Sequence, residues 1–143
     1  MQQYLDARPV AEPVHLFDCV LPCAGAEAFL VTSTDRARAI GLPFVEIAAS
    51  EELHNAWPDD PVQLRGGWSA FRDSLYAAAG SGPGDMDFVQ TYDDYPVIVV
   101  QQLEDLGFCE KGGGPAFLRA TDFRCGGDLP MNTCGGQLSA GQA

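Results

Sequence analysis

The chain has 143 residues, 46% of them hydrophobic, enough for one globular domain with a core of ordinary size. With 20 acids against 8 bases the net charge is −12, which repels polyanions and argues against nucleic acid and anionic membranes as partners. No run approaches the roughly eighteen apolar residues that a membrane span needs.

In chain order, Met1-Gln2-Gln3-Tyr4 lacks the basic and apolar blocks of a secretion signal, so a cytoplasmic location is the expectation. Residues 1–13 are polar and punctuated by proline, and they read as a lead-in segment to a domain over 14–143. Residues 14–20 run apolar as a strand would, and the small residues from Gly25 open a second buried strand to Ser33. Ser33 or Thr34 can cap a short helix over 35–40, with Arg36 and Arg38 outward and Gly41 closing it in the left-handed position. Alternation in Phe44-Val45-Glu46-Ile47-Ala48 predicts a third strand.

Residues 50–60 read as polar loop. An amphipathic helix is predicted over 61–79, with Leu64, Trp68, Phe71 and Leu75 on one face and Gly66-Gly67 weakening its first turns. Ser81-Gly82-Pro83-Gly84 breaks the chain. A strand over 85–91 precedes a helix over 96–106, which has Pro96 at its first position and Gly107 past its end. That helix is apolar nearly all round, which predicts that it is sandwiched between layers. Residues 107–114 read as a mobile connector. Strands alternating with helices, one of them buried centrally, give a layered α/β architecture with a mixed sheet.

Five cysteines (Cys19, Cys23, Cys109, Cys125, Cys134) cannot all pair within one chain. Cys19 and Cys23 are four apart, but His15 and His54 are isolated and no cluster completes a zinc set, so reduced thiols and no metal are expected. Tyr92-Asp93-Asp94-Tyr95 falls between a strand's carboxyl end and a helix's amino end, where open α/β folds gather ligands. The plainer alternative is that an aspartate caps the helix and Tyr95 packs against it. The Tyr92 hydroxyl can also give or take a proton. The glycine-rich tail from Pro130 is the second candidate, because glycines let backbone amides approach a ligand and form an oxyanion hole. Cys134 has no histidine near it in sequence to activate it, and a structural thiol is the simpler reading.

Taken together and in this order, these segments resemble the C-terminal half of a thiolase, of the sterol-carrier-protein type and its thiolase-like relatives. The resemblance covers nearly the whole chain. It runs through Tyr4-Leu5-Asp6-Ala7-Arg8-Pro9-Val10-Ala11 with Pro13, then Leu16-Phe17-Asp18-Cys19 and Gly25-Ala26-Glu27-Ala28, where Ala24 stands in place of the family's aspartate. Val89-Gln90-Thr91-Tyr92-Asp93-Asp94-Tyr95 with Gln102-Leu103-Glu104-Asp105-Leu106-Gly107-Phe108 is similar to the family's site motif and following helix. Leu129-Pro130-Met131-Asn132-Thr133-Cys134-Gly135-Gly136 is the most specific match.

In thiolases an Asn-x-x-Gly-Gly run leads into Gly-His-Pro, whose histidine activates the nucleophilic cysteine and helps bind the thioester oxygen. The resemblance therefore implies that Asn132, Gly135, Gly136 and Gly141 bind substrate and that Gln142 occupies the histidine position. An amide has no useful basicity near neutral pH, although its NH₂ still donates to an oxyanion. The family's other oxyanion position falls on Tyr92, so Tyr92 and Gln142 are the catalytic candidates. The family's nucleophilic cysteine belongs to an N-terminal half, and Cys109 and Cys134 match neither cysteine motif of the family.

The resemblance leads first to a C-terminal piece of a thiolase-like acyltransferase, truncated at its C-terminus and inactive alone. It would act on acyl-CoA, with the coenzyme A thioester as substrate and no other cofactor. It would pair with an N-terminal thiolase half or form a homo-oligomer. A second reading is a thiolase-fold retro-aldolase subunit using Tyr92, which would cleave a β-hydroxyacyl-CoA. A third is a non-catalytic interaction domain for an OB-fold partner.

Overall fold

Residues 2–60 and 62–142 are described by a computed structural model; Met1, Pro61 and Ala143, which bound expected segments, lie outside the described residues. In chain order the elements are α1 (Gln2–Leu5), β1 (Pro9–Ala11), β2 (Val14–His15), α2 (Thr34–Ile40), α3 (Trp68–Ala79), α4 (Pro96–Asp105), α5 (Gly114–Ala120) and α6 (Gly136–Ala140). The core is organised around α4.

Local signals set this helix. Tyr95 is extended before it (φ −138°, ψ 136°), proline occupies its first turn, and Gly107 adopts φ 82° just past its end. Val99, Gln102, Leu103 and Asp105 form its buried stripe, with Leu103 fully buried. The opposite side is open: Val97 is 70% exposed. The helix is therefore covered on one face within this chain rather than on two. Helices α3 and α5 supply that cover. Close approach is needed at Gly114, where a Cβ would lie 2.4 Å from Val100 Cγ1. Phe117 and Phe123 meet edge to face at 5.7 Å beside it.

Helix α3 starts at Trp68, not at the expected position 61. The two glycines are poor helix formers, and tertiary bonds hold Gly66 instead. Its N–H donates to buried Asp105 Oδ2 at 2.6 Å, and its carbonyl accepts from Trp57 Nε1 at 3.0 Å and Ser69 Oγ at 2.9 Å. Leu64 is consequently off the helix and exposed. Helix α2 forms as its local sequence predicts, with Ser33 Oγ accepting from the Arg36 amide at 3.4 Å and Gly41 at φ 73°.

The strands depart further from expectation. β1 and β2 form an antiparallel hairpin that joins the lead-in segment to the rest of the chain. The expected strand over 14–20 ends early because Asp18 accepts from the His15 amide at 2.8 Å and residues Leu16–Asp18 close into a tight turn. Parallel pairing occurs at two isolated bridges, Pro22↔Gln142 and Val89↔Met131. The expected strands over 25–33 and 44–48 form no ladder among the described residues, and residues 24–32 make no backbone hydrogen bonds there. A strand is completed by a neighbour, and none runs beside these segments. Among the described residues no helix is long and apolar enough to cross a membrane.

Candidate functional site

Four short pieces of chain meet around Tyr92. The segment before α4 brings Tyr92 itself, the start of the tail brings Asn132, α6 brings Gly136 and Gln137, and residues 21–27 close over the end of the tail. Each junction has an identifiable lock.

Asn132 has a left-handed backbone (φ 45°), which asparagine tolerates better than most residues. Its Oδ1 accepts from the Thr91 amide at 2.7 Å, while Nδ2 donates to the Thr91 carbonyl and hydroxyl, both at 3.1 Å. Its side-chain amide is thus spent on the residue preceding Tyr92. The Val89↔Met131 bridge continues this stitching, with Asn132 N–H donating to the Val89 carbonyl at 3.1 Å.

Asp93 fixes α6. Its carboxylate is 5% exposed and accepts from the Gln137 amide at 2.7 Å. Gly136, at φ 60°, passes so close that a Cβ there would lie 1.9 Å from Asp93 Oδ2. The tail then ends against residues 21–23. Gln142 N–H donates to the Leu21 carbonyl at 3.0 Å, and Cys23 N–H donates to the Gln142 carbonyl at 2.8 Å. Gly141, at φ 90°, leaves no room for a side chain, since a Cβ would lie 2.8 Å from Cys23 Sγ.

Tyr92 is 44% exposed, yet its backbone is held at both ends. Its N–H donates to Gln102 Oε1 at 3.0 Å, and Gln102 Nε2 donates to its carbonyl at 2.6 Å. The phenol donates to Asp94 Oδ2. That bond to Asp94 raises the Tyr92 pKa above the usual phenol value, with burial and the Asp94 charge adding to it, while the nearby Gln142 amide opposes the shift. Tyr92 and Gln142 are therefore brought together, as the resemblance implies.

Their cavity has a volume of about 760 Å³. Cys23, Glu27, Gln90, Tyr92, Cys134 and Gln142 are on its wall, with the backbone of Gly136 and Gly141. No lysine, arginine or histidine is among the residues that line it. Cys134 Sγ lies 3.9 Å from Gln90 Oε1. Of the expected substrate-binding set, Gly136 and Gly141 reach the wall, whereas Asn132 is engaged with Thr91 and Gly135 with the turn that starts α6.

Sequence reasoning missed Gln102 and residues 23–27 as parts of this site. The available signal for Gln102 was a polar side chain after the apolar run Val97-Ile98-Val99-Val100, close to a candidate loop. Residues 23–27 carry no such local mark, since they reach the cavity only through the bridge to Gln142.

Residues 61–143 match the thiolase C-terminal domain-like family. The chain is 31% identical over 145 residues to the steroid side-chain-cleaving aldolase of Thermomonospora curvata, covering 96% of this chain and 37% of that protein. It is 33% identical over 151 residues to the 17-hydroxy-3-oxo-4-pregnene-20-carboxyl-CoA lyase of Mycobacterium tuberculosis, covering 96% and 38%. An acetyl-CoA acetyltransferase of Methanothermobacter thermautotrophicus is 31% identical, with 99% and 38% covered. The solved Ltp2-ChsH2(DUF35) aldolase superposes with a TM-score of 0.79 at 32% identity, over 96% of this chain and 38% of that one. The chain thus spans under two fifths of the length of these relatives. The expected α/β thiolase-like fold is borne out by this superposition.

Proposed function

Since the chain belongs to the thiolase C-terminal domain-like family, we propose that it forms the C-terminal part of a carbon–carbon lyase that cleaves a β-hydroxyacyl thioester of coenzyme A by a retro-aldol step. The observation that carries this reading is the Tyr92 phenol on one cavity wall with the amide of Gln142, where no described lining residue is basic. Acyl transfer through a thiol needs a base to activate the nucleophile, and glutamine supplies none. Retro-aldol cleavage needs a group that handles the proton of the β-hydroxyl and donors for the enolate oxygen of the thioester. Tyr92 suits the first role and the Gln142 amide the second.

The relatives support this choice. One is named an aldolase, and the name of another describes a thioester of coenzyme A with a hydroxyl on the carbon β to the carbonyl. The acyltransferase reading retains a relative named acetyl-CoA acetyltransferase, but Gln142 stands where that reading calls for a histidine. Gly136 and Gly141 let backbone approach the thioester, and Asn132 holds the segment that carries Tyr92. The solved relative is named for two components, Ltp2 and ChsH2(DUF35), which supports an assembly with a second chain.

The test uses the full-length, assembled protein and a β-hydroxyacyl-CoA with a tertiary hydroxyl. The expected result is release of a ketone and a shortened acyl-CoA, lowered about 10²–10⁴-fold in Tyr92→Phe, the range for losing a proton-transfer group. A covalent acyl-thioester intermediate with no carbon–carbon cleavage would restore the acyltransferase reading.

A further inference from the structure

The Tyr92 phenol has a partner whose placement goes beyond what a helix-capping aspartate requires. Asp94 Oδ2 accepts the phenol hydrogen, so that hydrogen points away from any ligand. Asp94 Oδ1 is buried and has no hydrogen-bond partner among the described residues. Buried carboxylate oxygens normally have donors, so an oxygen left without one calls for an explanation. The Asp94 side chain also does not cap α4: the residue at the cap is Tyr95, and no side-chain bond caps that helix.

We propose that Asp94 is the positioning residue of this site, taking up the phenol hydrogen of Tyr92 so that the free lone pair of the Tyr92 oxygen accepts the substrate's hydroxyl proton. The inference rests on the retro-aldol reading above. Asp94 acts through Tyr92 and does not itself touch the substrate.

The step balances without a further reactant. The β-hydroxyl proton passes to the Tyr92 oxygen as the phenol proton passes to Asp94 Oδ2. The hydroxyl oxygen becomes the carbonyl of the departing ketone, the bond between the α- and β-carbons breaks, and its electron pair moves into the enolate of the thioester. The proton then returns from Asp94 through Tyr92 to the α-carbon, giving the shortened acyl-CoA.

The other groups facing this pair do not substitute for Asp94. Asp93 is turned to Gly136 and Gln137. Gln142, Glu27, Cys23 and Cys134 lie on the cavity wall, and none of them accepts the phenol hydrogen. No cation is among the residues that line that wall.

Asp94→Asn keeps an acceptor for the phenol but cannot take its proton. In the full-length assembled protein it should lower kcat about 100-fold, within the range for a proton-transfer partner, with KM changed less than about twofold. Independently of turnover, the titration of Tyr92 in ¹³C-tyrosine-labelled protein, assigned by its loss in Tyr92→Phe, should move down in Asp94→Asn. Wild-type kcat in Asp94→Asn, or an unmoved Tyr92 titration, would overturn the proposal. If Asp94→Asn fails to assemble, Asp94→Ala must show the same fall in kcat and the same downward move of the Tyr92 titration, and the absence of either also overturns it. Absence of cleavage by the wild-type protein would instead sink the retro-aldol reading, while the Tyr92 titration still decides whether Asp94 holds the phenol.

Discussion

Gln102 grips the backbone of Tyr92 from both sides, accepting from its N–H at 3.0 Å and donating to its carbonyl at 2.6 Å. This links the core to the site, because Gln102 lies on the buried stripe of α4 beside Leu103. Its Nε2 also reaches the Ile98 carbonyl at 3.1 Å. The same side chain that fills the core therefore fixes where the phenol stands.

Gln102→Leu should be costly for that reason. It preserves volume but strands the N–H and carbonyl of Tyr92, and leaving a buried polar group unpaired costs about 1–3 kcal/mol. Denaturant unfolding of the chain would report that loss. Gln102→Glu separates the two bonds, since a carboxylate accepts from the Tyr92 amide but cannot donate to its carbonyl. It should fall between the wild type and Gln102→Leu. Equal stability of all three would show that the grip contributes nothing.

Gly136→Ala tests the lock between the tail and Asp93. The backbone at φ 60° alone costs about 1–2 kcal/mol for a residue with a side chain. The added Cβ would also lie 1.9 Å from Asp93 Oδ2, so the carboxylate or the tail must shift. Hydrogen exchange at the Gln137 amide, now bonded to Asp93 Oδ1, should accelerate while exchange within α4 stays as it was. Unchanged protection at Gln137 would mean that α6 is held by something else.

Helices α2 and α4 were legible in this sequence because their boundaries are written locally, whereas α1, α5 and α6 were not read as helices. Ser33 and Gly41 bound α2, and Pro96 and Gly107 bound α4, with no help needed from distant residues. The start of α3 differs from its local reading because Gly66 is held by Asp105, 39 positions away, and no local pattern records that bond. Strands over 25–33 and 44–48 read well by alternation, but a ladder depends on the neighbour as much as on the segment. The meeting of Tyr92 with Gln142 was legible only through the family resemblance. What each neighbour does there was not: Asn132 is turned to Thr91 and Asp94 to the phenol through side-chain rotamers that spacing does not specify.

Acid should weaken the packing of α4 through Glu104. Burial pushes this carboxyl up, but the amides of Gly112 and Gly114 and the Lys111 ammonium more than offset that, so its pKa lies below the ordinary 4.5. A depressed folded value means that the contribution is present above the unfolded pKa and is lost as pH falls from about 4.5 through the folded value. Gly114 N–H donates to Glu104 Oε1 at 3.0 Å, and the side chain is only 9% exposed. Hydrogen bonds to charged groups of this kind contribute about 1.5–3 kcal/mol. Glu104→Gln should lose about that much near neutral pH and flatten stability below pH 4.5. An unchanged acid slope in that variant would assign the effect to other carboxylates.

Thiol labelling should separate Cys109 from the three exposed cysteines. Burial raises its pKa, the charges of Glu104 and Glu110 raise it further, and Lys111 opposes them. Cys23, Cys125 and Cys134 are exposed. Because the thiolate is the reactive form, iodoacetamide at neutral pH should modify Cys109 about tenfold more slowly than these three. Cys23 and Cys134 line the cavity, so a bulky maleimide there should also obstruct it. Peptide mapping after short exposure gives the order, and early labelling of Cys109 would contradict it.

The 143-residue chain by itself should associate. Its accessible surface is 10475 Å², against about 7,150 Å² for a folded monomer of 15.3 kDa, an excess of roughly 3,300 Å². Much of the exposed apolar surface lies on segments that lack backbone partners: Phe29 is 89% exposed and Val45 91%, with Leu30, Val31 and Ile47 beside them. An extended segment with unpaired amides and apolar side chains is a template for another strand, and large exposed apolar patches on soluble proteins mark contact surfaces. The net charge of −12 opposes self-association, so raised salt should promote it by screening that repulsion. Sedimentation at about 10–100 µM should therefore show oligomers whose fraction rises with ionic strength. Phe29→Lys with Val45→Lys should return the chain toward monomer, since charged side chains on an open edge block strand addition. These substitutions lie outside the packing around α4, so its helical content should persist. A chain that sediments as a monomer at every salt concentration would show that these segments fold back on themselves in solution.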